Sequence, residues 1–439
     1  MKKYGKKMAF LVAVMVMALC LAACGKNSKK DDKKDNKTKP TATVTPTATD
    51  TPTPTPQTEE KTGLTVSMYT VGTLYAPEYP YYQSLIEMKK SHPEIPLEWT
   101  TESRYETDLE ADIYLILPDE LKAFTDRRLA YKLDSAYETY ADALSKDICH
   151  DATVDGSLYG IPVSLSAYGV FANKELLASA GCPQAPKNLD ELMECCKKLA
   201  AAGITPFVFY RYEDSILPRE YYNFFTWIMM NTCDMSKGRL FRDENGNVQP
   251  GLADAVNRFT EMKTKGYIRE ETGYDMMKAF QSGKCAFYFG PLNEADSQFD
   301  DMMSDGKICV CSMPAENDAN TWSVMGKPHI LLVVSSKTKD PESAAKYAFE
   351  LAQSFDRNVY LCTRNATAPT WEFPAWKITY DDSKIGAERK NLANRLQQTE
   401  LKYDYVWEKD WDIVFSFYAE KLFKGLVDGD QLYRLLGGK

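Results

Sequence analysis

Three histidines, His92, His150 and His329, lie too far apart in 439 residues to read as a metal-ligand set, and no Cys-x-x-Cys accompanies them. No Gly-x-Ser-x-Gly elbow, Walker loop or Rossmann glycine triplet occurs. Among the 62 acidic residues a glycosidase-type pair could still hide, because such pairs keep no fixed spacing. What the chain holds in quantity is flat aromatic surface, 27 Tyr and 7 Trp, interleaved with carboxylates and amides. These types suit noncovalent recognition, the rings covering apolar faces and the polar groups exchanging hydrogen bonds. Tyr69 ends the first expected strand and projects where a cleft would open, although any single aromatic is also a core candidate. Asp119 follows the strand Ile113 to Leu117 and is better placed than Asp112, which precedes it. Asp119 reads equally well as the cap of a helix over 121–128. Trp322, Trp371 and Trp376 sit among Gly, Pro and Thr, as loop platforms for stacking or as packing between lobes.

The elements that must position these groups are clearest between Asp155 and Phe209. Strands are expected at Tyr159 to Val163 and Tyr168 to Ala172, then two short helices and a strand at Ile204 to Phe209. Asn173 can cap the first helix and Gly181 end it; Asn188 with Glu191 forms a variant capping box for the second, which Gly203 closes. Upstream, strands at Leu64 to Tyr69, Leu97 to Thr100 and Ile113 to Leu117 alternate with a helix near 81–91. Downstream, helices are expected at 252–265 and 275–281, a strand at 285–289, and a helix from Pro341 capped by Asp340. Strands separated by helices predict doubly wound parallel sheets.

Tyr159-Gly160-Ile161-Pro162, the run Asn173 to Leu177, Ala180-Gly181, Asn188 to Leu192 and Gly203 to Phe207 together resemble the core signature of the family 1 extracellular solute-binding proteins. Ala279 to Pro291 and Val333 to Ala345 resemble the same family in the same order, so the likeness runs from about Thr65 to Phe355. These are receptors of ABC importers, typically for carbohydrates. The resemblance implies an α/β fold of the two-lobed periplasmic-binding-protein type II, each lobe a doubly wound sheet flanked by helices and joined by a hinge. It places lobe I at 64–163 plus 291–333 and lobe II at 164–290 plus 334–439, with crossings near Val163, Gly290-Pro291 and Val333. Closure about the hinge on a carbohydrate, most simply an oligosaccharide, is the implied mechanism, with delivery to membrane permease subunits. Tyr210, Tyr212 and Glu213 then stand where the family reaches for its ligand. Asn293 and Glu294 follow Gly290-Pro291, although Leu292 replaces an aromatic that family members often carry there. The resemblance calls for no cofactor, metal or catalytic residue. Rival readings are a sensor that presents its solute to a two-component kinase and a surface glycoside hydrolase.

The N-terminus frames this. Lys2, Lys3, Lys6 and Lys7 precede an apolar run from Met8 to Leu19, too short to span a bilayer, and then Leu21-Ala22-Ala23-Cys24. That ending resembles a bacterial lipobox, so residues 1–23 read as a lipoprotein signal peptide and Cys24 as the lipid-bearing residue. Residues 24–62 continue as a Lys/Asp-rich and then Thr/Pro-rich stalk that cannot bury enough surface to fold. A lipid-anchored monomer on the outer face of the cell membrane, beneath a Gram-positive-type wall, fits this layout. The first 62 residues carry +6 of the net −9, leaving −15 beyond, which argues against nucleic acid as a partner. Of eleven cysteines nine lie beyond Cys24, an odd number that leaves at least one free thiol unless a bond forms between chains.

Overall fold

The computed structural model describes residues 63–69, 80–100, 109–144, 148–211, 218, 220–234, 238–239, 241–243, 245–273, 275–294, 298–313, 322–361, 373–377, 387–398, 418 and 420–438. The expected signal peptide, Cys24, the stalk, Tyr212, Glu213 and Trp371 lie outside them.

Nine strands form one mixed sheet. They are β1 (Leu64–Ser67), β2 (Leu97–Thr100), β3 (Ile113–Ile116), β4 (Ile161–Asn173), β5 (Phe207–Arg211), β6 (Ile268–Thr272), β7 (Phe287–Pro291), β8 (Ile308–Val310) and β9 (Met325–Val334). Across the sheet the order is β6-β5-β7-β4-β9-β3-β1-β2, with β8 also paired along β4. β1 is parallel to β2 and β3, and β5 is parallel to β6 and β7. Each flank is thus a parallel set of the kind that needs helical crossovers. The two long antiparallel strands β4 and β9 run between the flanks. All four residues of β3 are buried, as its unbroken apolar run requires of a strand covered on both faces.

Local signals hold where they are local. α1 (Pro80–Ser91) precedes β2. Asn173 accepts from the amides of Glu175 and Leu176 at 3.1 Å each and starts α2 (Lys174–Ser179). Asn188 accepts from Glu191 at 2.9 Å and starts α3 (Leu189–Ala201), whose Leu189, Leu192, Cys196 and Leu199 are buried. Gly203 turns the chain out of that helix at φ +76°, a conformation that costs glycine little. α4 (Tyr221–Met230), α5 (Gly251–Thr264), α6 (Met276–Gln281) and α7 (Pro341–Leu361) complete the principal helices. Asp340 accepts from Ser343 at 3.1 Å at the start of α7. The eight described cysteines are free thiols, and Cys195, Cys196 and Cys285 are buried as small core residues.

Two expectations give way to long-range pairing. The strands read at 159–163 and 168–172 are one continuous strand, β4. Ser164, in its middle, has φ +50°, a left-handed conformation costing about 1–2 kcal/mol in a non-glycine residue. Its amide donates to Asp356 Oδ1 at 2.8 Å, while the Leu165 amide donates to the Phe373 carbonyl at 2.7 Å. Val163 pairs with Ile330 and Leu165 with Pro328, and the Ser164–His329 pair between them is left out. Pro328 has no N–H to give. The crossing of the sheet therefore lacks one rung, and the register continues unchanged on either side.

The second difference concerns segments after β7. β8 pairs with Phe171 to Asn173 at the far end of β4, although the sequence groups it with the first lobe. α7, grouped with the second, packs against α1, β4 and β9. The reason is tertiary: α7 buries an apolar face that includes Ala344, Ala345, Phe349 and Phe355, and Tyr81 of α1 meets Phe355 edge-on at 5.1 Å.

Candidate functional site

Three parallel strands, β5, β6 and β7, end side by side at Arg211, Thr272 and Pro291. Beyond their carboxyl ends lies a pocket of about 310 Å³, the usual place for a ligand on such a sheet. Tyr168 of β4, Tyr210 of β5 and Tyr288 of β7 supply rings and hydroxyls. Asn223 of α4, Glu220 before it, Asp275 before α6 and Glu294 after β7 supply amide and carboxylate groups. Among the described lining residues there is no Lys, Arg or His.

The floor is rigid. Tyr168 stacks on Phe289 at 5.9 Å, and Phe289 in turn meets Trp227 at 5.8 Å and Phe224 at 5.2 Å. These aromatic rings fill the space between α4 and the sheet, so the groups above them stand on a packed core. Tyr288 folds back over Gly290, where a Cβ would come within 2.4 Å of its ring. Only glycine permits that close approach.

Several polar groups are already engaged. Asp275 caps α6 through the Lys278 amide at 3.0 Å and pairs with Lys278 Nζ at 2.6 Å. Lys284 stands 5.7 Å from the centre of the Tyr210 ring, reaches its hydroxyl at 3.3 Å and is paired with Glu271. Glu294 differs. Burial pushes its carboxyl up to about 7, against the opposing effect of the hydrogen bond it accepts from Tyr288. Its Oε2 is buried and no described group bonds to it. An orphaned carboxylate oxygen is costly in a folded protein, and its position at a pocket suggests binding rather than packing.

Of the residues expected from sequence, Tyr210 and Glu294 line this pocket. Asn293 is half-buried beside Glu294 but is not part of the wall. Tyr69 lies on the other flank of the sheet, half-buried and edge-on to Phe124 at 5.2 Å and Tyr114 at 6.2 Å. Asp119 is exposed in the turn Pro118–Glu120, and the N-cap position of the following helix belongs to Glu120. The loop tryptophans need correction. Trp322 is 4% exposed and stacks on Trp227 at 5.2 Å. Trp376 is fully buried, its indole donating to the Pro162 carbonyl at 2.9 Å. Both are core residues, because their partners come from distant segments that loop composition cannot reveal. Sequence reasoning missed Tyr168, Glu220, Asn223, Asp275 and Tyr288. The usable signal was position, since Asp275 and Tyr288 sit at the ends of elements it had placed.

Residues 100–357 match one protein family, described as bacterial extracellular solute-binding proteins. The chain belongs to that family. It is a family of binding proteins rather than enzymes, so the hydrolase reading has no support. A binding protein of Brucella abortus (strain 2308) is 25% identical over 240 residues, which cover 52% of this chain and 56% of the relative. The match thus spans little more than half of that relative's length. Among solved structures, a family 1 extracellular solute-binding protein from Bifidobacterium longum subsp. infantis superposes with a TM-score of 0.65 at 16% identity, covering 86% of this chain and 98% of its own. The sugar-binding protein MalE from Xanthomonas citri gives 0.63 at 15% identity, covering 85% and 95%. The fold is the two-lobed α/β architecture of these proteins, as the sequence resemblance implied. Among the described residues no helix is long and apolar enough to cross a membrane.

Proposed function

We propose that this solute-binding protein captures a carbohydrate, an oligosaccharide, and delivers it to the permease subunits of an ABC importer. The pocket carries the reading: three tyrosines and a set of carboxylate and amide groups at strand ends offer both the faces and the hydrogen bonds a sugar needs. Family membership supports it, as do structural neighbours described as a sugar-binding protein and a chitin oligosaccharide binding protein.

The lobes we propose carry β1, β2, β3 and α7 on one side and β5, β6, β7 and β8 on the other, with β4 and β9 running through both. Tyr69 and Asp119 then belong to the lobe facing the pocket and meet the ligand only when the hinge closes. Tyr212, Glu213 and Trp371 remain proposed contacts, and Cys24 the proposed lipid attachment site of a monomeric, membrane-anchored receptor.

Thermal unfolding of the purified protein against a glycan panel tests this. A rise in Tm with one or a few sugars is expected, because a ligand that binds only the folded state stabilises it. No shift and no calorimetric heat from any glycan would overturn the carbohydrate assignment and leave the fold untouched.

A further inference from the structure

The pocket is uneven in its chemistry. Among the described residues its lining carries the carboxyl groups of Glu220, Asp275 and Glu294 and no cationic side chain. Asp275 is partly neutralised by Lys278, and the nearby Lys284 is engaged by Glu271 and Tyr210. Among the described residues Glu294 has no such counter-charge: it accepts from the Tyr288 hydroxyl, and its Oε2 is shielded with no described partner. The terminal torsion of a glutamate is soft, and because both oxygens turn on it the Tyr288 hydroxyl must follow for the unserved one to face the pocket. Its desolvation is already met by the fold, so a donor that reaches it gains a charge-assisted hydrogen bond.

We propose that Glu294 is the specificity-determining acceptor of this pocket, receiving a hydrogen bond from a hydroxyl or protonated amine of the bound sugar. With Glu220 and Asp275 it excludes sugars that place a carboxylate, sulfate or phosphate there, since like charges facing each other in a shielded site are strongly disfavoured. This rests on the carbohydrate reading and sharpens it to neutral or amine-bearing sugars. Among the described residues the ionisable group acting on Glu294 is Tyr288 on β7, and Tyr168 on β4 and Glu220 at the start of α4 act in turn on Tyr288. Two of these are phenols and the third is an acid. None brings a positive charge.

Calorimetric titration of the full chain with three probe classes tests the assignment: neutral xylo-, cello- and malto-oligosaccharides, chitosan oligosaccharides with free amines, and oligogalacturonides. Binding of the neutral or the amine class, and none of the uronates, is the expected result; tighter binding of the amine class identifies an ammonium as the donor. Glu294→Ala is expected to weaken the sugar that binds by about tenfold or more. Glu294→Gln keeps an acceptor oxygen, so it is expected to retain binding of a neutral sugar but lose the rise in affinity for it that the wild type shows between pH 6 and pH 8. Far-UV circular dichroism and Tm establish that both variants fold. Preference for an oligogalacturonide, or equal affinity and the same pH profile in wild type and both variants, would overturn the role of Glu294 while leaving sugar binding intact. Silence from all three classes would overturn the carbohydrate reading and this assignment with it.

Discussion

Asp356 is a fully buried carboxylate that ties three segments together, and its replacement by alanine is expected to cost about 3–5 kcal/mol of stability. Oδ1 accepts from the amides of Ser164 at 2.8 Å and Ala375 at 2.9 Å, and Oδ2 from the amide of Trp376 at 3.3 Å. Leaving a buried donor unsatisfied costs about 1–3 kcal/mol. Three of them set an upper bound near 9, reduced because alanine also removes the cost of burying the carboxylate itself. Ser164 adds to the loss, since its left-handed backbone is held by the bond to Asp356. Asp356→Asn separates charge from acceptor geometry: it keeps the oxygen that serves Ser164 and Ala375 and is expected to lose only about 1–2 kcal/mol. Urea unfolding followed by tryptophan fluorescence and near-UV circular dichroism reads both values, with Trp376 at the site as a local reporter. An alanine variant within about 1 kcal/mol of wild type at unchanged m-value would refute the reasoning. So would an asparagine variant as damaged as the alanine one.

Trp322→Ala is expected to destabilise by about 3–5 kcal/mol, the usual range for emptying a buried aromatic site, while the folded variant binds sugar within twofold of wild type. A tenfold loss of affinity at unchanged stability would restore the stacking-platform reading. His329 is pushed down to about 4 by burial first and by Lys327 second. Its folded value lies below the ordinary 6.5, so the unfolded chain takes up the proton first. The stability contribution is therefore complete above pH 6.5 and is lost as pH falls toward 4. His329→Gln should flatten the fall of Tm over that window relative to wild type, and superimposable profiles would rule the contribution out.

What was legible in the sequence was what depends on neighbours along the chain. Asn173, Asn188 and Asp340 cap the helices they were expected to cap, because capping joins residues two or three apart. The apolar run at Ile113 placed a buried strand for a similarly local reason. What escaped was set by partners far away. Nothing near Ser164 announces that a carboxylate 192 residues later will hold it inside a strand. Trp376 looked like a loop residue because its acceptor, Pro162, lies 214 residues upstream. The pocket was half legible: Tyr210 and Glu294 follow recognisable strands, whereas Tyr168 and Glu220 enter only once β4, β7 and α4 are brought together.

The gap in pairing where Ser164 faces His329 has a mechanical consequence. A sheet of uninterrupted ladders resists flexing along its whole width, but here compliance is concentrated at one residue pair beside a proline that donates nothing. Rocking of one flank against the other, as the proposed closure requires, would centre there and be restrained by the Asp356 carboxylate on α7 and by the backbone bonds between Leu165 and Phe373. For a receptor that closes as proposed, the balance between open and shut forms would thus be tuned at a point remote from the pocket walls. Affinity becomes adjustable through how often the shut form is visited, with every ligand contact left unaltered.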